Sequence, residues 1–163
     1  MRIGCAEHGY GQTPSKGDPD GDIRPDRTAC DQWRCLVSVF TDAELEYLKS
    51  QPLMRFASAS ATGKPDVSPV TFGVDGDSIV TGGFDIGKTV RYRNITTNPQ
   101  VTVVIDDLAS TDPWSPRGIK IIGSATIEEG PPAQFRIVPS VIISWGINDT
   151  TPGIPKMERR SLE

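Results

Sequence analysis

Beyond residue 35 the chain has no cysteine and no histidine. All three cysteines (Cys5, Cys30, Cys35) and the single histidine, His8, lie before that point. The absence removes Cys–His and Ser–His–Asp catalysis, histidine metal sites and disulfides from most of the protein. Chemistry there falls to carboxylates, lysine, tyrosine or a bound cofactor. No apolar run approaches membrane-spanning length. The N-terminal MRIGCAEHGYG lacks the apolar core of a secretory signal, so a cytoplasmic protein is expected. Positive charge is not in excess: a net charge of -4 and a pI of about 5.0 argue against nucleic-acid or anionic-membrane binding. No repeat is visible, and 163 residues suit one domain.

Residues 1–36 are rich in Gly, Pro and Asp and poor in aliphatics. They bury too little apolar surface to offset the entropy of ordering, which predicts a disordered or loosely draped tail, with the fold proper starting near Val37 or Val39. A zinc site from Cys5, His8, Cys30 and Cys35 matches no common finger spacing, and no metal site is expected.

The chain is organised around residues 81–107, TGGFDIGKTVRYRNITTNPQVTVVIDD. Glycines 82, 83 and 87 let backbone N–H groups approach a ligand and adopt positive φ. A helix starting near Lys88 or Thr89 adds unpaired N–H groups and a positive dipole end. Lys88, Arg91 and Arg93 add cationic donors, so an anion site is expected here. Residues 82–89 also fit the octapeptide G-x-x-x-x-G-K-[ST] of nucleotide hydrolases, and Asp106 and Asp107 stand where such enzymes hold magnesium. Context speaks against that reading. A phosphate-loop hydrolase needs parallel strands joined by crossover helices, whereas this loop follows a third strand linked by hairpins.

Thr41 and Glu44 form a capping box, with Phe40 and Leu45 as its hydrophobic staple, which predicts a helix over 42–50 stopped by Pro52. Strands are expected at 54–60, 67–74, 78–82, 101–106, 118–128 and 134–145, with a short helix over 89–96. Residues 107–117, rich in Ser, Asp and Pro, read as a loop. Along 118–128, Ile119, Ile121, Gly123, Ala125 and Ile127 share one face; along 134–145, Phe135, Ile137, Val141, Ile143 and Trp145 do, with Pro139 at an edge or bulge. Residues 148–163 read as a polar C-terminal tail, and Leu162-Glu163 as an appended pair. The pattern gives an all-β fold with minor α: a small six-stranded antiparallel barrel.

Four blocks in order, QPLMRFASASATGKPDVSPVTF, KTVRYRNITTNPQVTVVIDD, DPWSPRGIKIIGSATI and FRIVPSVIISWGI, resemble the pyridoxamine 5'-phosphate oxidase-like proteins. The likeness covers roughly residues 39–147 and leans to the actinobacterial branch that uses the deazaflavin coenzyme F-420. It implies a split β-barrel domain over 37–147 that forms a homodimer, with FMN or deazaflavin at the subunit interface and its phosphate held after the third strand. There the family's helix reads K-T-R-K-Y-R-N, and this chain has Lys88-Thr89-Val90-Arg91-Tyr92-Arg93-Asn94. Valine replaces the first basic residue of the middle pair and arginine the second, leaving Lys88 and Arg91 as rival phosphate contacts. Carried over residue by residue, Arg55 and Pro69 to Phe72 flank the ring, with the backbone of Val70 and Thr71 bonded to its polar edge. Trp114, Arg117 and Gly118 approach from the partner subunit. Each also has a plainer reading: Arg55 a surface residue, Phe72 core, Trp114 a barrel-end cover, Trp145 packing, Asp106 and Asp107 partners of Arg117.

The resemblance implies an oxidoreductase moving hydride between its cofactor and a small organic acceptor, the protein supplying grip and orientation. No catalytic side chain stands out; Tyr92, Lys88 or water is the candidate proton donor. The rivals are a non-catalytic flavin or haem carrier, the P-loop hydrolase, and an OB-like nucleic-acid barrel, the last opposed by acidity and scarce strand aromatics.

Overall fold

The computed structural model describes residues 38–151 and 153–162. The expected tail and the Cys5, His8, Cys30, Cys35 cluster lie outside the described residues. The elements are α1 (Asp42–Ser50), β1 (Met54–Ala59), β2 (Pro65–Val70), β3 (Gly73–Asp75), β4 (Ser78–Thr81), a 3-10 turn (Ile86–Lys88), α2 (Val90–Thr97), β5 (Gln100–Thr111), β6 (Trp114–Glu128), β7 (Gln134–Trp145) and β8 (Met157–Ser161). Every strand pairing is antiparallel. The octapeptide at 82–89 therefore sits outside the parallel framework a nucleotide hydrolase needs.

One eight-stranded sheet runs β2-β1-β5-β6-β7-β4-β3, with β8 beside the C-terminal half of β7. Its two ends, β2 and β3, are consecutive in sequence and joined only by Thr71 and Phe72. Three Cα–Cα steps span at most about 11 Å, so the sheet must roll until its ends come close. The inward face carries Phe56, Ile79, Val103, Ile105, Ile119, Ile121, Phe135, Ile137 and Ile142, all fully buried.

The capping box predicted α1 to the residue. Glu44 N–H donates to Thr41 Oγ1 (3.2 Å) and Thr41 N–H to Glu44 Oε2 (3.0 Å). Eight strands replace the expected six for two reasons. The segment read as one strand over 67–74 divides at Thr71–Phe72, where the chain leaves β1 for β4. The segment expected as a polar tail contains β8, whose Arg160 reaches Glu44.

Residues 107–117 are not a loop. β5 and β6 continue as a ladder, Asp107↔Arg117 to Thr111↔Trp114, because cross-strand pairing outweighs the weak strand preference of Ser, Asp and Pro. In β7 the expected single face is also corrected. Ile122 pairs with Val141 and Gly123 with Pro139, so Ser140 is an extra residue. That bulge reverses the phase: Phe135 and Ile137 point inward before it and Ile142 and Ser144 after it, leaving Val141, Ile143 and Trp145 less buried.

Candidate cofactor site

β4 ends at Thr81, whose hydroxyl donates to the Thr71 carbonyl at 2.6 Å. The chain then turns through Gly83 (φ +156) and Asp85 (φ 52, ψ 52) into the 3-10 turn. Positive φ falls on Gly83 and Asp85, while the expected Gly82 and Gly87 keep ordinary values. Ile86 is buried and anchors the turn. Thr89 caps α2, accepting from Tyr92 N–H at 3.2 Å while its hydroxyl donates to the Ile86 carbonyl at 2.6 Å. Asn94 Nδ2 donates to Ser58 Oγ (3.0 Å) and Asn98 Nδ2 to the Ala59 carbonyl (3.3 Å), fixing α2 against β1.

Within this turn the two rival cations differ. Lys88 is exposed and ion-paired with Asp85. Arg91 turns inward, its guanidinium carbon 6.0 Å from the centre of the Phe135 ring. Its Nε and Nη1 are buried and have no hydrogen-bond partner among the described residues. Burial pushes its pKa down, and the charge of Asp66 pulls the other way. A buried donor pair without an acceptor is a cost that a bound anion removes.

Thr71 and Phe72, with Gly73, Val80, Thr81, Gly82 and Gln134, line a groove of about 230 Å³. Thr81 pairs with Phe135, over which Arg91 lies. Thr71, Phe72, Thr89 and Arg91 therefore form one neighbourhood. Val70 is buried at the end of β2, and Pro69 is exposed opposite Arg55. Arg55 lies on the outward face, bridged to Asp106 at 3.1 Å. Asp106 pairs in turn with Gly118, and a methyl group on Gly118 would lie 2.8 Å from the Ile105 carbonyl and collide with the Trp145 ring.

Arg117 belongs to another cluster. It grips Asp107 with two bonds, 2.8 and 2.9 Å. Tyr47, whose ring centre is 5.2 Å from the guanidinium, adds its hydroxyl at 3.2 Å, and Gln51 Nε2 adds a bond at 3.0 Å. Of the two acids expected to pair with Arg117, Asp107 does and Asp106 serves Arg55. The Arg117 hydrogen bond holds the Asp107 carboxyl below the ordinary range, while burial and the neighbouring Asp107 push the Tyr47 phenol up. Trp114 is exposed at the hairpin tip, where its carbonyl accepts from Gly153 N–H at 3.1 Å.

Within one protomer the two clusters are distinct. Tyr92 of α2 reaches Glu129 (3.4 Å), just beyond the end of β6, whereas Arg117 lies near that strand's start. Sequence reading did not nominate Tyr47, Gln51 or Phe84. The first two meet Arg117 only through tertiary contact; an aromatic between Gly-Gly and Asp was a visible signal for the third.

Among solved structures, a conserved hypothetical protein of Mycobacterium tuberculosis superimposes with a TM-score of 0.57 at 19% identity, over 66% of this chain and 86% of that one. A heme binding protein from Mycobacterium smegmatis also gives 0.57, at 18% identity, over 76% of this chain and 59% of its own. These likenesses establish the fold. In sequence the chain is 34% identical over 127 residues to the 5a,11a-dehydrotetracycline/5a,11a-dehydrooxytetracycline reductase of Streptomyces rimosus, covering 71% of this chain and 89% of that protein. With the family model for pyridoxamine 5'-phosphate oxidase matched over residues 40–157, the chain belongs to that family.

Proposed function

We propose that this protein is an oxidoreductase that binds FMN or the deazaflavin coenzyme F-420 and moves hydride between it and a small organic acceptor. The observation that carries the reading is Arg91. Two buried, unanswered donors at the first turn of a capped helix fit a phosphate in charge and position. The family and its reductase relative support flavin-related redox chemistry. The chemistry such a cofactor supplies is hydride transfer, which explains how a domain without histidine or cysteine can be an enzyme.

The chain's own residues then have separate tasks. Arg91, with Lys88 once freed from Asp85, holds the phosphate, and the Thr89 cap keeps that turn in place. Among the described residues β2 ends the sheet path and pairs only with β1, which leaves part of its backbone to bond the ring's polar edge at Val70 and Thr71. Phe72 and Pro69 exclude water from the ring, and Arg55 flanks it. The exposed cations Lys64 and Arg93 suit the long acidic tail of the deazaflavin.

Gly118 lies beside Asp106, the partner of Arg55, whereas Trp114 and Arg117 lie at the start of β6, away from the α2 turn. A homodimer brings Trp114 and Arg117 to the site from the second copy. The haem-carrier alternative lacks histidine and cysteine, two common axial ligands, from residue 36 onward.

The test is a pair of titrations, with FMN and with the deazaflavin, on wild type, Arg91→Lys and Arg91→Ala. Loss of charge-assisted bonds of about 1.5–3 kcal/mol predicts roughly 10- to 100-fold weaker binding in Arg91→Ala, with a shallower salt dependence and partial recovery in Arg91→Lys. Unchanged affinity in a folded Arg91→Ala moves the site elsewhere.

A further inference from the structure

Phe84 is 104% exposed, yet the chain around it is held on both sides. Before it, Thr81 is tied to Thr71. After it, Ile86 is buried, and Lys88 N–H donates to the Asp85 carbonyl at 3.1 Å and Thr89 N–H to the Ile86 carbonyl at 3.0 Å. The outward ring is thus a product of ordered backbone. Asp85 is the one described non-glycine residue with positive φ, at 52°. Aspartate is among the few side-chain-bearing residues that enter that region readily. Here it lets Ile86 enter the core while Phe84 faces out.

The location narrows what the ring faces. Gly82, two residues earlier, lines the groove with Thr71 and Phe72. Two Cα–Cα steps keep Phe84 within about 8 Å of Gly82. Lys88 and Arg91 follow within the next two turns of chain. Phe84 is thus an exposed aromatic on the turn that links the groove-lining Gly82 to Lys88 and Arg91. Resting on the cofactor assignment above, we infer that Phe84 is an aromatic wall of the site, stacking on the cofactor's ring system.

The test uses the full chain as wild type, Phe84→Ala and Phe84→Trp, titrated with FMN and with the deazaflavin, read by affinity and by fluorescence of the bound cofactor. Apo melting temperatures and oligomeric state are measured alongside. Because the ring touches no core, the apo melting temperatures should match. Phe84→Ala should bind about five- to tenfold more weakly. Phe84→Trp should restore affinity and quench the bound cofactor's emission beyond wild type, since an indole in stacking contact is a strong quencher. If wild type binds and Phe84→Ala binds equally well, the wall is wrong and the cofactor site stands. If Phe84→Ala instead dissociates a dimer, the ring belongs to the subunit contact, which also overturns the wall. Wild type binding neither cofactor sinks both readings together.

Discussion

Glu44 is a carboxylate with no exposed surface, and its surroundings decide its charge. Burial alone would raise its pKa. Hydrogen bonds from Arg160 and from the Thr41 backbone outweigh that, and the net position is below the ordinary value of 4.5. As pH falls toward 4.5 the unfolded chain takes up the proton first, so stability is full above that value and drains away below it. Asp107, held down by Arg117, adds to the same acid-side loss. Urea midpoints from pH 7 to pH 3 should therefore fall, and Glu44→Gln should flatten the fall. Arg160→Ala at neutral pH leaves the Glu44 charge without its partner. A fully buried pair broken this way costs about 3–5 kcal/mol, and with Arg160 32% exposed about 2–3 kcal/mol is expected from chemical denaturation. The capping half of this arrangement was legible because Thr41 and Glu44 are three residues apart. Arg160 was not, since no local pattern links residues 116 apart.

At the level of elements, local signals placed α1 and α2 well and failed where pairing decides the outcome. Nothing in LASTDPWSPR marks a strand, yet it completes the long β5–β6 hairpin because Leu108, Ser110 and Thr111 find partners in Pro116, Ser115 and Trp114, with Ala109 left out at a bulge. The β7 reversal was half visible in Pro139, but only the register against Ile122 and Gly123 identifies Ser140 as the extra residue. Two outcomes follow from these elements. Gly118→Ala places a methyl group against the Ile105 carbonyl and the Trp145 ring at the heart of the hairpin, costing about 1–3 kcal/mol by thermal unfolding. Removing residues 157–163 deletes β8 and the Arg160 contact together. Amide exchange should then quicken in α1 and in Val141–Trp145, and leave β1–β5 pairing protected.

The described residues form one continuous sheet, and no helix among them is long and apolar enough to cross a membrane. The family was legible from four sequence blocks because they keep their order along the chain. Of the candidate site, the turn at 82–91 was legible as a place where cations and a helix cap gather. The inward turn of Arg91 was not, because packing over Phe135 is a tertiary event. Cofactor at 100 times its dissociation constant should stabilise the fold by about 2.7 kcal/mol, a melting shift of several degrees, and Arg91→Ala should shrink that shift. The two-residue tether between β2 and β3 also acts as a leash. With Val70 and Gly73 at most about 11 Å apart, the last residue of one edge strand cannot drift from the first of the other. Lengthening that leash by a glycine or two should quicken amide exchange in β2 and β3 while the β5–β6–β7 ladder stays protected.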